Sequence, residues 1–210
     1  MLKTLTDLLT QHGVVAVFVV MAIDAILPVG GELTMLIAGA LAAGALTGST
    51  LLFGHDIGTG LPAYLVLAMS GTLGYLAGSL LGWQIGRSGG RPLIERHGRW
   101  LHLGPQRMLA AERWFDRHGA KAVLLGRLTP LVRSFISIPA GVFGSPLGAY
   151  TALTLIGSAL WCFGFAGAGW ALGDNFDVVH RAFRYADVAA VAAVAGAGLW
   201  LLSRSRRHAR

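Results

Sequence analysis

The sequence predicts an all-α polytopic membrane protein in which two opposed re-entrant helical hairpins combine with transmembrane helices in an inverted-repeat arrangement. Three observations lead to this prediction: an apolar composition, several long apolar runs, and two runs that prolines, glycines and charges interrupt. Hydrophobic residues make up 54% of the 210 residues and charged residues only 13%, against about 25% charged residues in soluble domains. We therefore expect one membrane domain that spans residues 1–210.

The apolar runs define the expected segments in chain order. They lie at Leu8–Leu27, Leu33–Gly54, Leu61–Gly86, Ala122–Phe143, Leu147–Leu172 and Val188–Leu202. A straight transmembrane helix needs about 20 residues. The expected division is 1–60 for an N-terminal crossing helix and the first re-entrant segment, 61–86 for a transmembrane helix, 87–121 for a basic amphipathic segment, 122–143 for the second re-entrant segment, 147–172 and 185–203 for transmembrane helices, and 204–210 for a basic tail.

Two of the runs contain residues that interrupt a helix. The residues with this expected role are Pro28, Gly30 and Gly31 in the first break, and Pro130, Pro139 and Gly141 in the second. Proline removes a helical hydrogen bond, and the freed carbonyl is tolerated at membrane depth only inside protein or beside a water-filled cavity. We therefore expect two broken helices that enter the membrane and return.

The distribution of basic residues predicts the orientation. The net charge of +7 is concentrated in Arg87–Lys121 and Arg204–Arg210, which flank apolar runs. This is the positive-inside pattern, so both clusters and both chain termini are expected in the cytoplasm. The first break would then enter from outside and the second from the cytoplasmic side. Because the charge follows the membrane segments, the bilayer is the expected partner, and nucleic acid is not.

Two further patterns concern packing. Four glycines recur every fourth residue, at Gly74, Gly78, Gly82 and Gly86, and predict close contact between helices. The segment Pro105–His118 carries Met108, Ala111 and Phe115 at helical spacing, which predicts an amphipathic helix on the cytoplasmic surface. The seven histidines lack the spacing of metal ligands, so neither a metal site nor a cofactor is expected.

Four charges in the broken runs are the candidate functional residues. Arg127 and Arg133 are the only charged residues between Ala122 and Gly173, and each arginine costs about 2.5–3.5 kcal/mol at the centre of a membrane helix on insertion scales. Asp24 and Glu32 are the candidate counter-charges. Pro130 separates the arginines, so both side chains can turn toward one site shared with the acids.

This four-charge site has two interpretations. One is an ion-pair cluster that only fixes the packing of the two broken segments. The other, which we favour, is a binding site, because polar groups at such depth usually mark a pathway. Guanidinium is the preferred planar donor for phosphate, so Arg127 and Arg133 are the expected phosphate-binding residues. Asp24 and Glu32 are the expected ion-pair residues, and either acid could exchange a proton.

Three motifs resemble those of the DedA family, also called the SNARE-associated or VTT-domain family. They are Gly126-Arg127-Leu128-Thr129-Pro130-Leu131-Val132-Arg133 with Pro139-Ala140-Gly141, Asp24…Pro28…Gly31-Glu32…Ala38-Gly39, and Gly82-Trp83-Gln84-Ile85-Gly86-Arg87. The resemblance extends from about Asp24 to Trp161. It differs at two positions, since many members carry Glu at the position of Asp24 and Asp at that of Ser79.

The resemblance implies a bacterial inner-membrane protein with two opposed re-entrant hairpins. It implies a flippase or scramblase that moves a phospholipid or a polyprenyl phosphate such as undecaprenyl phosphate, linked to the proton motive force. By position, it also implies that Asp24 and Glu32 are the essential acids and that Arg127 and Arg133 are the essential arginines.

Other functions remain open at this point. The main alternative is a proton-coupled carrier of a small solute or drug cation that uses Asp24 and Glu32 as its binding acids. A membrane phosphatase would need a nucleophile and a base beside the arginines, and none is evident, so no enzyme activity is expected. A purely structural scaffold is the third alternative. Neither the lipid nor the oligomeric state, a homo-oligomer included, follows from the sequence.

Overall fold

A computed structural model describes residues 2–46, 51–52, 55–97, 105–119, 121–129 and 132–173. The elements are α1 (Leu2–Asp24), α2 (Gly31–Ala42), β1 (Leu51–Leu52), β2 (His55–Asp56), α3 (Leu61–His97), α4 (Pro105–His118), α5 (Lys121–Leu128), α6 (Ser137–Val142) and α7 (Leu147–Ala171). The described chain is helical except for turns and one two-residue antiparallel pair, which confirms the all-α prediction. Pro130, the predicted helix 185–203 and the tail 204–210 lie outside the described residues.

Helices α3 and α7 form an antiparallel pair at the centre of the fold. The Tyr64 hydroxyl near the start of α3 donates to the Phe163 carbonyl oxygen at 3.0 Å, and the Tyr150 hydroxyl near the start of α7 donates to the Ser79 carbonyl oxygen at 2.9 Å. Leu61–Gly90 of α3 and Leu147–Ala171 are the described helices that are long and apolar enough to cross a membrane, in agreement with the predicted segments.

Large apolar side chains lie exposed on the outer faces of these two helices. They are Leu65, Met69, Leu73 and Leu81 on α3, and Leu155, Ile156 and Leu160 on α7, each between 39% and 61% exposed. In water such continuous apolar surface would favour aggregation. Lipid is a suitable solvent for this apolar surface, so only the inner faces of α3 and α7 have to pack against protein.

Helices α1 and α2 form an antiparallel hairpin against this pair. Helix α1 runs in the same direction as α3, in contacts that pair Val14 with Ser70, Phe18 with Gly74 and Ala22 with Gly78. Helix α2 instead packs on α7 and runs in the same direction as α7, because Gly39 lies against the Ala166 carbonyl oxygen and Ala43 lies beside Gly173. Since α3 and α7 are antiparallel, α1 and α2 must be antiparallel too. The turn between them, residues 25–30, is therefore the tip of the hairpin.

Helices α5 and α6 repeat this arrangement from the other end of α3. Helix α6 packs on α3 at Gly82 and Gly86, while α5 packs on α7 where Arg127 covers Gly157. Because α1 ends beside Gly78 and α6 begins beside Gly82, the two breaks meet next to the middle of α3. The predicted role of the α3 glycines in close packing is confirmed.

The α2–α7 and α6–α3 crossings use equivalent atoms. In the α2–α7 crossing, Gly39 lies against the Ala166 carbonyl and the Trp170 amide, and Gly169 lies against the Leu36 carbonyl. In the α6–α3 crossing, Gly141 lies against the Trp83 carbonyl and the Arg87 amide, and Gly86 lies against the Ile138 carbonyl. The sequence spacing between these residues is the same in both crossings. No such residue-level repeat was evident in the sequence.

The predicted N-terminal helix before the first break corresponds to α1, and its crossing of the membrane stays a prediction. Helix α1 leads directly into the break, and Gly13 interrupts its helical geometry with a φ of 46°. The apolar part, His12–Asp24, has 13 residues, or about 20 Å of helix, against a hydrocarbon core of about 30 Å. The expected cytoplasmic N-terminus depended on that crossing helix.

The apolar run Leu33–Gly54 contains helix α2, which ends at Ala42, and Gly44 follows with a φ of 77°, a usual helix C-terminus. Two residues that were expected to break a helix lie within one. Pro139 does not break a helix, since it lies in the first turn of α6, where the amide needs no partner within the helix. Gly141 is likewise helical, and its absent side chain serves close packing.

The predicted amphipathic helix is present as α4, Pro105–His118. Its Phe115 is buried against Phe143, with ring centroids 5.5 Å apart, and the Trp114 indole donates to the Ala122 carbonyl oxygen at 3.3 Å. The apolar face of α4 therefore packs at least partly on the second broken segment.

Candidate functional site

The first break is organised around the Asp24 carboxylate. Its Oδ1 accepts hydrogen bonds from the backbone amides of Val29, Gly30 and Gly31, at 2.9, 3.1 and 2.9 Å. Gly30 adopts a φ of 100°, a region that glycine reaches without strain, and this brings the three amides onto one oxygen. Asp24 thus satisfies the N-terminus of α2, whose positive dipole end favours a carboxylate.

Arg133 forms the link between the two breaks. Its Nη2 lies 2.7 Å from Asp24 Oδ2 and 3.2 Å from Glu32 Oε1. Arg133 and Asp24 are almost fully buried, with side chains 4% and 2% exposed, whereas the Glu32 side chain is 35% exposed. The two acids therefore differ: Asp24 is held by four donors, and Glu32 makes one longer contact at an accessible edge.

Gly31 makes the Asp24–Arg133 pair sterically possible. A Cβ at this position would clash with Asp24 Oδ2 and would lie 2.7 Å from Arg133 Nη2. Gly31 is also one of the three residues whose amide binds Asp24. Its predicted role was to interrupt the helix, yet it is the first residue of α2. What the site requires at this position is the missing side chain.

Arg127 occupies a different environment from Arg133. Its Nη1 donates to the Arg133 carbonyl oxygen at 2.7 Å, and its Nη2 donates to Ser137 Oγ at 2.9 Å and to the Tyr150 hydroxyl at 2.8 Å. Arg127 is only 2% exposed, and no carboxylate among the described residues forms an ion pair with it. Its Nε has no hydrogen-bond partner. The guanidinium charge is thus held by neutral acceptors.

Aromatic rings fill the space around both guanidinium groups. The Tyr75 ring centroid lies 5.2 Å from Arg127 Cζ and 5.0 Å from Arg133 Cζ, and the Trp161 centroid lies 5.1 Å from Arg133 Cζ. These distances are within the range of cation–π attraction, which strengthens when the groups are desolvated. The rings therefore help to hold two buried cations without full neutralisation by acids.

Three of the four predicted charges thus meet at one point, and the fourth lies beside them. Asp24, Glu32 and Arg133 form one ion-paired cluster. Arg127 is joined to it through the Arg133 backbone and the shared Tyr75 ring. The predicted role of Pro130 in turning the arginines lies outside the described residues. The binding roles of the four charges stay predictions.

Several residues of the site were missed in the sequence. Tyr75, Ser137, Tyr150 and Trp161 contact the arginines, yet none stands out in an apolar run. The one available signal was the spacing of Tyr75 and Ser79, which places them on one helix face. Ser79 is fully buried, and its hydroxyl donates to the Tyr75 carbonyl oxygen at 2.6 Å. The Ser79 carbonyl oxygen accepts a hydrogen bond from the Tyr150 hydroxyl.

An apolar groove of about 470 Å³ lies apart from these charges, between α1 and α3. Val14, Phe18, Leu65, Met69 and Leu73 are among its lining residues. The groove opens on the exposed face of α3, and none of its lining residues is charged.

Comparisons with known proteins give the family. Residues 12–171 match the VTT domain. The chain is 29% identical to the uncharacterized membrane protein YbfM of Bacillus subtilis over 173 residues, 82% of this chain and 98% of that protein. It is 30% identical to undecaprenyl phosphate transporter A of Bacillus subtilis over 128 residues, 61% of this chain and 65% of that protein.

A second transporter of the same name, from Staphylococcus aureus, is 26% identical over 178 residues, which cover 84% of this chain and 82% of that protein. No solved structure matches the chain significantly. The match to the VTT domain includes all four predicted site residues, α1 from His12 onward, and α2, α3, α5, α6 and α7. The chain is therefore a bacterial-type membrane protein that belongs to the VTT-domain, or DedA, family.

Proposed function

We propose that this protein translocates a phosphate-bearing lipid, such as undecaprenyl phosphate, across the bacterial inner membrane, in a manner linked to the proton motive force. The observation that carries the proposal is the pair of buried guanidinium groups, of which Arg127 has no acidic partner among the described residues. Two relatives bear the name undecaprenyl phosphate transporter A, which supports the choice of lipid.

The proposed architecture is a pair of re-entrant hairpins that enter from opposite membrane faces. The short lengths of His12–Asp24 and Gly31–Ala42 support it, because neither segment spans a bilayer core of about 30 Å. The contacts of α1 with Gly78 and of α6 with Gly82 support it too, because these glycines are one turn apart on α3. With Arg87 at the cytoplasmic end of α3, as the basic cluster predicts, the α1–α2 hairpin enters from outside.

The proposed mechanism uses the difference between the two acids. When a phosphate approaches, Glu32 accepts a proton from the accessible side and frees one of the two N–H bonds of Arg133 Nη2, while the other stays with Asp24. Arg133 and Arg127 then bind the phosphate oxygens, as guanidinium groups do in bidentate contacts. Asp24 keeps its three amide donors and its contact with Arg133 throughout, so the site stays assembled. Loss of the proton from Glu32 restores the ion pair and expels the phosphate.

Transport in proteoliposomes tests this function. We expect the purified protein to move a labelled polyprenyl phosphate between leaflets, faster with an inward proton gradient than without it. Arg133→Lys should lose most of this activity despite keeping the charge, because an ammonium group lacks the planar fork. Thr129→Val is a matched control on the same segment, since its hydroxyl donates to the Leu125 carbonyl oxygen outside the site.

Two outcomes would reject the proposal. Full lipid transport by Arg133→Lys, with normal folding, would contradict a phosphate-binding role. Proton-linked uptake of a small solute or a drug cation, without lipid movement, would favour the alternative carrier in which Asp24 and Glu32 bind the substrate.

A further inference from the structure

Three side chains on one face of α7 each carry a buried polar atom that has no hydrogen-bond partner. Thr154, Ser158 and Trp161 follow one another at helical spacing, and their Oγ1, Oγ and Nε1 atoms make no hydrogen bond. Thr154 is fully buried and Ser158 is 4% exposed. Among the described residues, Arg127 Nε is the one other buried side-chain nitrogen or oxygen without a hydrogen-bond partner. Buried polar groups almost always have partners, so such a cluster indicates a missing one.

Other hydroxyl groups of the helices do not share this property. In four cases the hydroxyl donates to the carbonyl four residues before it, the usual solution within a helix, and the Ser70 hydroxyl donates to the Val14 carbonyl oxygen of α1. The pairs are Thr34 with Gly30, Thr72 with Ala68, Ser79 with Tyr75, and Thr129 with Leu125. The hydroxyl groups of Thr154 and Ser158 make no such bond. They remain available for a ligand.

The unpartnered groups lie between the two arginines. The Arg127 side chain starts against Gly157, where a Cβ would lie 2.8 Å from Arg127 Cβ, and its guanidinium ends at the Tyr150 hydroxyl. It thus runs along the α7 face that carries Thr154. At the other end of the row, Arg133 lies over the Trp161 ring. Helical spacing thus puts Thr154, Ser158 and Trp161 on the side of α7 that the two arginines cover.

We propose that Thr154, Ser158 and Trp161 form a second set of donors that binds the oxygens of a phosphate monoester or of free phosphate, together with Arg127 Nε. This inference rests on the proposed function and extends it to α7. Every one of the four groups can donate a hydrogen bond, and none is a carboxylate, which suits an anion and disfavours a cation. Because the two hydroxyl groups do not bond to carbonyl oxygens of the helix, both can donate hydrogen bonds to the phosphate oxygens.

Calorimetric titration of the full-length protein in phosphatidylcholine nanodiscs tests the proposal. The probes are geranyl monophosphate and inorganic phosphate. The variants are Thr154→Val, Ser158→Ala and the matched control Thr72→Val, whose lost hydroxyl already has a partner. We expect each α7 variant to bind the phosphate probe about tenfold more weakly, the effect of one hydrogen bond to a charged group. Thr72→Val should bind as the wild type does.

A melting curve without ligand separates binding from folding. Thr154→Val removes a buried hydroxyl that has no partner, so its melting temperature should equal or exceed that of the wild type. A clearly lower melting temperature, or unchanged phosphate affinity in both α7 variants, would overturn the inference. If the wild type binds both probes and the α7 variants bind both more weakly, free phosphate is a ligand of the site. If the wild type binds the geranyl ester alone, the ligand is a lipid headgroup.

The same titration distinguishes failure of this inference from failure of the proposed function. If Arg127→Gln loses phosphate binding while the α7 variants keep it, only the role of α7 is rejected. If the wild type binds neither phosphate probe, the phosphate site itself is rejected, and with it both proposals.

Discussion

The two breaks of the fold differ in how they satisfy their polar groups. In the first, residues 25–30, three amides and one guanidinium converge on Asp24. In the second, Arg127 is held by neutral acceptors, and its Nε has no hydrogen-bond partner. Under the proposed function, the first break acts as an anchor that holds the site together, and the second is the side that would receive the phosphate.

The largest loss of stability should come from removing the Asp24 carboxylate, the anchor of the first break. Asp24→Ala leaves three amides without an acceptor and leaves Arg133 with one partly exposed partner. Loss of one member of a buried pair costs about 3–5 kcal/mol. We expect a much lower melting temperature in detergent, with Glu32→Ala as the control. Equal stability of the two variants would contradict the anchor role.

The next effect concerns the glycine beneath the ion pair. Gly31→Ala places a methyl group against Asp24 Oδ2 and Arg133 Nη2, which should cost about 3 kcal/mol in overpacking and displacement of the pair. Gly148→Ala in α7, where a Cβ would meet open space, should be neutral or slightly stabilising. Chemical unfolding of the three proteins measures the difference. A Gly31→Ala protein as stable as wild type would show that the pair can shift freely.

A smaller effect tests whether the two halves pack alike. Gly39→Ala and Gly141→Ala each place a methyl group against a carbonyl oxygen of the partner helix, so each should cost about 2 kcal/mol. Gly164→Ala, with nothing near its Cβ, is the control. Similar melting temperatures for the first two variants are expected. A large loss for one and none for the other would mean that the equivalent contacts are not energetically equivalent.

The smallest effect on stability should come from Glu32→Gln. Its side chain is 35% exposed, and it contacts Arg133 at 3.2 Å, so solvent screening limits the loss to about 1 kcal/mol or less. Under the proposed mechanism, lipid movement by this variant should no longer respond to a proton gradient. A response equal to that of the wild type would assign the proton-linked step to another group.

The charged part of the site could be predicted from the sequence, because a charge within an apolar run is conspicuous and expensive. Asp24, Glu32, Arg127 and Arg133 were identified in this way. Tyr75, Tyr150, Thr154 and Ser158 could not be, since hydroxyl groups are common in membrane helices and usually bond to their own backbone. Only the structure distinguishes the hydroxyl groups that do so from those that do not.

The sequence by itself determined the membrane class, the long helices α3 and α7, the two interrupted segments and the residues that carry charge. These follow from composition, run length and helix-breaking residues, which are local properties. The tertiary structure decided which charges pair. Arg127 and Arg133 lie six residues apart, yet one meets two carboxylates and the other meets none in the described chain. That difference depends on how α1, α2, α5 and α6 cross the α3–α7 pair, and therefore on contacts between residues far apart in the chain.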